Sequence, residues 1–382
     1  MISDRLFVVS FIADIHFGAL KTELLYEQLQ ECFIKKIQNK KIDMIVFGGD
    51  IFHSVITMNY STSHYVLLFM ERLIDLCVEN GIKYVRIIQG TMSHDNNQLN
   101  NFHIFENRTD VDVKIIMTIR EEKLIEGLKI LYVPEEYVLN PDEYYSEYFN
   151  MYKYYDFIFG HGMFKEVSFI AKNQESEVSM SKAPVFDSKI FINACKGPIY
   201  FGHIHTKVTI KKHIHYPGSF SRFKFGEEDP KGWYLCVYDK DSNKYIHNFV
   251  ENIKAQTYNT ILVNIVEEVK PEILTSLIDT ALETDDYIKL KLVIKENIEC
   301  SYLISYLNDK YQKNSAVKIE VKNEYEFRND VLKDTKAEEI CKEYEFLFDN
   351  SYTHEEKIQK FIKVKHNRDI PIDIIKDQLN LL

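Results

Sequence analysis

The sequence predicts an α/β fold with a second, smaller α/β unit and helices at its C-terminal end. Over the first 250 residues, short apolar runs alternate with longer segments in which apolar residues recur at helical spacing. From residue 256 the same alternation recurs on a smaller scale, and after residue 330 the periodicity is helical. The chain has 382 residues, more than the roughly 150 typical of one domain, so we expect several domains.

The first part of the chain contains the predicted strands of the main sheet system. Each is a short apolar run of the kind that favours a buried strand. They are Leu6 to Ala13, Met44 to Phe47, Tyr84 to Gln89, Val113 to Met117, Lys129 to Val133, Phe157 to Phe159, Ile199 to Phe201, Val208 to Ile210 and Trp233 to Tyr238.

Two amphipathic helices are predicted between the early strands. The positions on their buried faces are Leu24, Leu25, Gln28, Leu29 and Cys32 to Ile37 for the first, and Val66, Leu67, Phe69, Met70, Leu73, Ile74 and Leu76 for the second. We expect both helices to pack against a sheet rather than to carry function.

The segment after Gln256 predicts a separate β-α-β-α-β unit. Its elements are a strand at Thr260 to Val266, a helix at Pro271 to Ala281, a strand at Tyr287 to Ile294, a helix at Tyr302 to Tyr311 and a strand at Ala316 to Val321. Two helical stripes follow, one formed by Ile340, Tyr344, Leu347 and Phe348 and the other by Ile358, Phe361 and Ile362. We therefore predict domains at residues 1–252, 256–329 and 330–382.

Composition excludes several classes of protein. Asp and Glu number 58 against 47 Lys and Arg, a net charge of -11 that disfavours binding of nucleic acid by bulk positive charge. The six cysteines form no C-x-x-C pair, so neither a zinc ribbon nor a disulfide framework is indicated, and reduced thiols of a cytoplasmic protein are expected. No run approaches the about 20 apolar residues that span a bilayer, and the N-terminal run is typical of a strand rather than of a signal peptide.

Five predicted strands run directly into side chains that can bind a metal. These side chains are Asp14 and His16, Asp50 and His53, Ser93, His94 and Asp95, His161, and finally His203 and His205. Because ligands gather beyond the carboxyl ends of parallel strands, we expect the five segments to meet in one crevice. Carboxylates and imidazoles without thiolates suit manganese, iron(II) or zinc, and so many ligands indicate two ions. The other seven histidines are expected to be surface or satisfied polar residues.

The order of these motifs resembles that of the calcineurin-like dinuclear metallophosphoesterases. The string from Gly48 to His53 is similar to the G-D-L-F-H of the SbcD and Mre-eleven nucleases, and the string from His215 to Gly232 is similar to their Y-P-G-S segment with its later K-G pair. The resemblance covers about the first 240 residues and is nearest to divergent SbcD-type subunits of large phages. It implies a β-sandwich flanked by helices, then a small α/β capping domain and C-terminal helices.

The resemblance also implies roles for individual residues. One ion would be held by Asp14, His16, Asp50 and His205, and Asp50 would bridge to a second ion held also by His161, His203 and Ser93. Ser93 stands where the family has an asparagine. His94 would protonate the leaving oxygen, Asp95 would orient that imidazole, and His53 would sit beside the substrate.

By the same resemblance the function would be that of a manganese-dependent DNA nuclease, with Mg2+ or Fe2+ as alternative ions. Expected activities are 3′-to-5′ cleavage of duplex ends and endonuclease action on single strands or hairpins, in recombination or repair. Expected partners are DNA, an SbcC-type ATPase bound by the C-terminal helices, and a second copy bound through Ser63 to Asn80. The segment from Lys182 to Lys224 contains eight basic residues and one acidic residue. The DNA contacts would be Lys207, Lys211, Lys212, Arg222 and Lys224.

Two other functions fit the residues. The first is a phosphoesterase that acts on small phosphodiesters, because the metal motifs do not select the substrate. The second is a non-catalytic scaffold subunit, with Ser93 as the sign of a decaying site.

Overall fold

The structure is a computed structural model, and it describes residues 5–55, 60–108, 110–149, 154–168, 184–324, 344–347, 352–366 and 368–379. The chain divides into two units, residues 1–259 and 260–382. In the described part of the chain, no helix combines the length and apolar composition needed to cross a membrane.

Two six-stranded sheets form the frame of the first unit. Its strands are β1 (Leu6–Ile12), β2 (Met44–Gly48), β3 (Tyr84–Ile88), β4 (Asp112–Ile116), β5 (Arg120–Lys123), β6 (Lys129–Val133), β7 (Phe157–His161), β8 (Met163–Phe164), β9 (Val185–Phe186), β10 (Ile199–Gly202), β11 (Val208–Ile210), β12 (Ile214–Tyr216), β13 (Gly232–Asp239) and β14 (Lys244–Glu251). The first sheet has the order β14-β13-β1-β2-β3-β4, and the second has the order β11-β12-β10-β7-β6-β5. Strands β8 and β9 pair separately.

The inner strands of both sheets are parallel. Strands β1 to β4 run parallel in the first sheet, and β6, β7, β10 and β12 do so in the second. The sheets face one another across an apolar core, in which the Phe11 ring lies 5.9 Å from that of Phe159 and 5.3 Å from that of Tyr200. Each sheet therefore presents the carboxyl ends of several adjacent parallel strands along one edge.

Helices cover the outer faces of this sandwich. They are α1 (Thr22–Leu29), α2 (Tyr60–Asn80), α3 (His103–Glu106), α4 (Pro141–Ser146) and α5 (Ser188–Ala194). A π-helical turn at Gln30–Ile34 and a short helical turn at Lys35–Ile37 continue α1. Leu25 of α1 and Phe69 of α2 are fully buried in the core that also holds Phe47 of β2, so both helices pack as the sequence predicts.

The second unit contains a three-stranded sheet. Its elements are β15 (Tyr258–Ile265), α6 (Pro271–Ala281), β16 (Tyr287–Ile294), α7 (Ser301–Tyr311), β17 (Val317–Asn323), α8 (His354–His366) and α9 (Ile372–Leu379), with strand order β15-β16-β17. Ile278 and Leu307 of the two helices pack on Leu290 of the central strand. The α/β fold class predicted from the sequence is confirmed. The predicted stripe positions Ile340 and Phe348 lie outside the described residues.

A buried ion-pair network joins the two sheets at β3. The Arg86 side chain is 0% exposed, and its guanidinium donates to both carboxylate oxygens of Glu122, at 2.8 and 2.9 Å, and to Asp112 at 2.7 Å. Burial opposes ionisation of Glu122, but the hydrogen bond and charge of Arg86, with a hydrogen bond from Lys114, outweigh it and lower the pKa from 4.5 to about 2. Arg86 therefore supplies the buried positive charge on which the network depends.

Replacing Arg86 with methionine is expected to lower the free energy of unfolding by about 3–5 kcal/mol, because it leaves the Glu122 carboxylate buried without its main partner. The contribution of Glu122 ionisation is present above pH 4.5 and is lost as the pH falls towards 2, so the acid-dependent loss of stability should be smaller in the variant. Urea unfolding at several pH values measures both effects.

Lys35→Ala is the matched control, since it breaks an exposed ion pair with Glu31 and should cost under about 1 kcal/mol. An equal effect of the two substitutions would contradict a structural role for the network.

Candidate metal centre

The predicted metal ligands meet at the carboxyl edges of the two sheets. Asp14 and His16 follow β1, and Asp50 follows β2, both in the first sheet. His161 ends β7, and His203 and His205 follow β10, both in the second sheet. The strand-end rule thus brings together side chains that are up to 191 residues apart (205 - 14 = 191) in the sequence.

The first donor group consists of Asp14, His16 and His205. One donor atom of each lies within 4.8 Å of the others. The Nε2 atoms of His16 and His205 are 2.9 Å apart, and the His203 backbone N–H donates to both Asp14 oxygens at 3.0 and 3.1 Å. Burial and the charge of His205 hold the pKa of His16 well below its usual value, so its imidazole is neutral and suited to bind a cation.

The second donor group consists of Asp50, His161 and His203. His161 Nε2 lies 3.3 Å from Asp50 Oδ2, and His161 Nδ1 lies 2.8 Å from the Gly48 carbonyl oxygen. When the Nδ1–H of His161 donates a hydrogen bond to that carbonyl, Nε2 carries the lone pair and faces Asp50. Asp50 Oδ2 is also 3.9 Å from His16 Nε2, so this carboxylate lies between the two donor groups.

Charge within the second donor group favours binding of a cation. Burial opposes protonation of His161, but the Asp50 carboxylate outweighs it and raises the pKa to about 10. Burial likewise opposes ionisation of Asp50, and His161 lowers its pKa well below the usual value. A divalent cation bound here would replace the proton of His161, because a ligating imidazole must be deprotonated.

Strained backbone marks the same residues. Asp14, His16, Asp50 and His203 have φ values of 51, 53, 51 and 100°, in the left-handed region that non-glycine residues rarely adopt. Such conformations cost roughly 1–3 kcal/mol each and occur mainly at functional sites. Backbone hydrogen bonds connect the loop after β1 to the loop after β2. Among them, the Asp14 N–H donates to the Gly49 carbonyl at 3.0 Å.

His94 lies beside the first donor group, at the rim of the centre. Its ring centroid is 4.8 Å from that of His16, and its Nδ1 contacts the His53 carbonyl oxygen. The exposed His53 ring stacks on it with centroids 5.7 Å apart. The position fits a group that exchanges a proton with a bound substrate.

Asp95 does not orient His94, contrary to the prediction. Its buried carboxylate accepts hydrogen bonds from the backbone N–H groups of Asp50, Phe52 and Gly90 at 2.9, 3.1 and 2.7 Å. Asp95 therefore joins the loop after β2 to the loop after β3, while the His53 carbonyl is the partner of His94 Nδ1.

Thr91, rather than Ser93, brings a hydroxyl to the second donor group. Thr91 Oγ1 lies 3.2 Å from Asp50 Oδ2, 3.4 Å from His161 Nε2 and 3.5 Å from His203 Nδ1, whereas Ser93 is exposed. Gly90 allows the close approach, because a Cβ there would lie 2.2 Å from the Asp50 backbone nitrogen. The prediction for Ser93 is corrected by a shift of two residues along this loop.

Two of the five predicted DNA-binding residues, Lys211 and Lys212, do not lie at the centre. Lys211 and Lys212 precede β12, which runs parallel to β10, so they lie at the opposite end of the sheet from His203. The Arg222 guanidinium faces backbone carbonyls, including that of Asp229 at 3.1 Å. Lys207 Nζ lies 4.3 Å from the centroid of the Phe249 ring, and Lys224 is half-buried.

Two further acidic residues at the centre had no predicted role. Glu227 Oε1 lies 3.5 Å from His205 Nδ1 and so can orient that imidazole, and Lys231 Nζ donates to the His205 carbonyl at 2.8 Å. Glu135 lies against His203, with Oε2 3.2 Å from Nδ1. The sequence feature that could have identified Glu135 is its position just beyond β6, a parallel strand that contains no histidine.

The fold and the donor groups together define an α/β protein built on two six-stranded sheets, with a candidate centre for two divalent metal ions. No family model matches the sequence. The chain is 23% identical over 269 residues to the protein named "Putative phosphoesterase 244L" of Invertebrate iridescent virus 6, a match that covers 66% of this chain and 84% of that protein.

Solved structures with a detectable likeness include a dimetal phosphatase from Danio rerio, with a TM-score of 0.37 and 8% identity over 65% of this chain and 96% of that chain. A cold-active protein-tyrosine phosphatase of a psychrophilic Shewanella species has a TM-score of 0.30 and 12% identity over 64% of this chain and 78% of that chain. The functional proposal rests on the geometry of the donor atoms in the centre.

Proposed function

We propose that the protein is a metal-dependent phosphoesterase that hydrolyses phosphodiester bonds of DNA. The observation that carries the phosphoesterase function is the position of Asp50 between two groups of carboxylate and imidazole donors, all of them buried except the half-buried His205. Two ions held there would activate water and stabilise the charge of the reacting phosphate. Donors of this kind without thiolates suit Mn2+, which we propose as the native ion, with Mg2+ or Fe2+ as alternatives.

His94 is the proposed proton donor to the leaving oxygen. Its Nδ1 is engaged with the His53 carbonyl, so Nε2 is the nitrogen that remains for the substrate. The Gln98 amide donates to the His94 carbonyl at 2.9 Å and to the Ser54 carbonyl at 3.1 Å, which fixes both backbone segments.

DNA as the substrate is the more specific part of the proposal, and the motif resemblance supports it. With a net charge of -11, the subunit alone should bind DNA weakly and in a salt-sensitive manner. We therefore propose that an SbcC-type ATPase supplies further grip through α8 and α9, and that α2 pairs with a second copy. A role in recombination or repair follows from this assembly by analogy alone.

Hydrolysis of small phosphodiesters is the second candidate function. The positions of Lys211 and Lys212 at the far end of the sheet favour it, since a small substrate needs no basic surface. The deciding test gives the purified chain Mn2+ together with duplex, hairpin or single-stranded DNA, or with bis(p-nitrophenyl) phosphate.

We expect cleavage of DNA, with chain ends or hairpins preferred. Rapid hydrolysis of the small ester with intact DNA would favour the second candidate. Two bound ions with no hydrolysis of any substrate would instead indicate a scaffold subunit.

A further inference from the structure

We infer that Glu135 is a protein ligand of the ion at the second donor group, in the place where an amide was expected. The inference rests on the proposed dinuclear centre. It assigns to that ion the set Asp50, Glu135, His161 and His203, with the Thr91 hydroxyl beside them.

The position of Glu135 is the first observation. The residue is 1% exposed, and its Oε2 lies 3.2 Å from His203 Nδ1, 3.4 Å from Thr91 Oγ1 and 3.9 Å from His161 Nε2. With metal–ligand distances near about 2.1 Å, adjacent ligands of one cation lie about 3 Å apart and opposite ligands about 4 Å apart, and the three separations fall within this range.

The second observation is an unsatisfied oxygen. Among the described residues, Glu135 Oε1 is buried and has no hydrogen-bond partner. In the described part of the chain, His161 and His203 are the only residues that form ion pairs with Glu135. A buried carboxylate that lacks a full set of partners is costly, and a divalent cation bound to it would supply charge that offsets part of that cost.

The backbone holds Glu135 in place for this role. Its N–H donates to the Gln89 carbonyl at 3.2 Å, and the Gln89 amide donates to the Glu135 carbonyl at 3.3 Å. These bonds tie the end of β6 to the end of β3, directly before Thr91. The loop that contains Thr91 is thus fixed beside the end of β6, where Glu135 lies.

The chemistry of the exchange is consistent. A hydroxyl is a weak neutral ligand, so the change at the amide position alone would leave the second ion poorly held. A carboxylate restores a strong oxygen ligand and adds a negative charge, which favours a hard divalent ion such as Mn2+ or Mg2+.

The test measures Mn2+ binding by calorimetry and metal analysis for the wild type, Glu135→Ala and Glu135→Gln. We expect two ions in the wild type, and in Glu135→Ala a loss of at least about 100-fold in affinity for one ion only, since even residues that merely orient ligands affect affinity 10–100-fold. Glu135→Gln keeps the side-chain volume and should give an intermediate loss. Anomalous scattering from wild-type crystals should place the second ion at bonding distance from a Glu135 oxygen.

Glu227→Gln is the matched control, because Glu227 contacts His205 of the first donor group. It should weaken the other ion and leave the one at Glu135 unchanged.

Two ions bound with wild-type affinity in both Glu135 variants would overturn the inference and leave the proposed function standing. Anomalous density for the second ion away from Glu135 would do the same. A wild-type protein that binds no divalent ion would overturn the proposed function itself.

Discussion

Replacement of Asp50 by alanine should abolish binding of both ions and reduce phosphodiester hydrolysis by at least about 10³-fold. Asp50 Oδ2 lies between His161 Nε2 and His16 Nε2, so each donor group loses its shared carboxylate. A metal ion contributes several kcal/mol to stabilisation of transition-state charge, and each 1.4 kcal/mol corresponds to about tenfold in rate. Metal analysis and a cleavage assay with Mn2+ measure the two effects.

The fold should survive this change. The Asp50 backbone N–H remains bonded to Asp95, and the variant removes a buried charge rather than part of the apolar core. Asp241→Ala, which removes an exposed carboxylate, is the matched control and should retain both ions and full activity. Hydrolysis near the wild-type rate by a folded Asp50→Ala protein would refute the assignment of the centre.

Replacement of His94 by alanine should slow DNA hydrolysis by about 10²–10⁴-fold, the usual contribution of a positioned proton donor, while both ions stay bound. The imidazole lies 4.8 Å from the His16 ring and forms a cluster with His16 and His53, which contains neither of the carboxylates Asp14 and Asp50. Steady-state cleavage with parallel metal analysis separates this effect from loss of the ions.

The leaving group provides a sharper version of this experiment. A p-nitrophenolate leaving group needs no proton, so the defect of His94→Ala should shrink markedly with a p-nitrophenyl ester as substrate. His103→Ala, at an exposed histidine that pairs with Glu106, is the control and should behave as wild type. An equal defect on both substrates, or loss of an ion, would show that His94 has another role.

The strand-end pattern was the most informative part of the sequence. An apolar run followed by Asp or His predicts both the strand and the edge at which its side chain emerges, which is why residues as distant as Asp14 and His205 could be grouped. The edge strands β5 and β14 were missed because their alternating or charged residues give no continuous apolar run.

The finer details of the centre depend on loop geometry that residue types do not encode. Thr91 and Ser93 both carry hydroxyls, and only the turn at Gly90 decides which of them faces Asp50. A lone glutamate after a strand, such as Glu135, is usually a surface residue, and its burial results from long-range packing. Asp95 could have been assigned to its backbone partners only once the two loops were seen side by side.

The origin of the donors in two different sheets has a consequence for thermodynamic linkage. Each ion that binds only the native protein adds RT ln(1 + [M]/Kd) to the free energy of unfolding, about 2.7 kcal/mol when the free ion is at 100 times its Kd. Because Asp50 belongs to the first sheet and His161 to the second, such an ion is a reversible cross-link between the two halves of the sandwich. The melting temperature of this unit should therefore rise with Mn2+ concentration and fall on chelation, so that the availability of the ion sets how firmly the two sheets hold together.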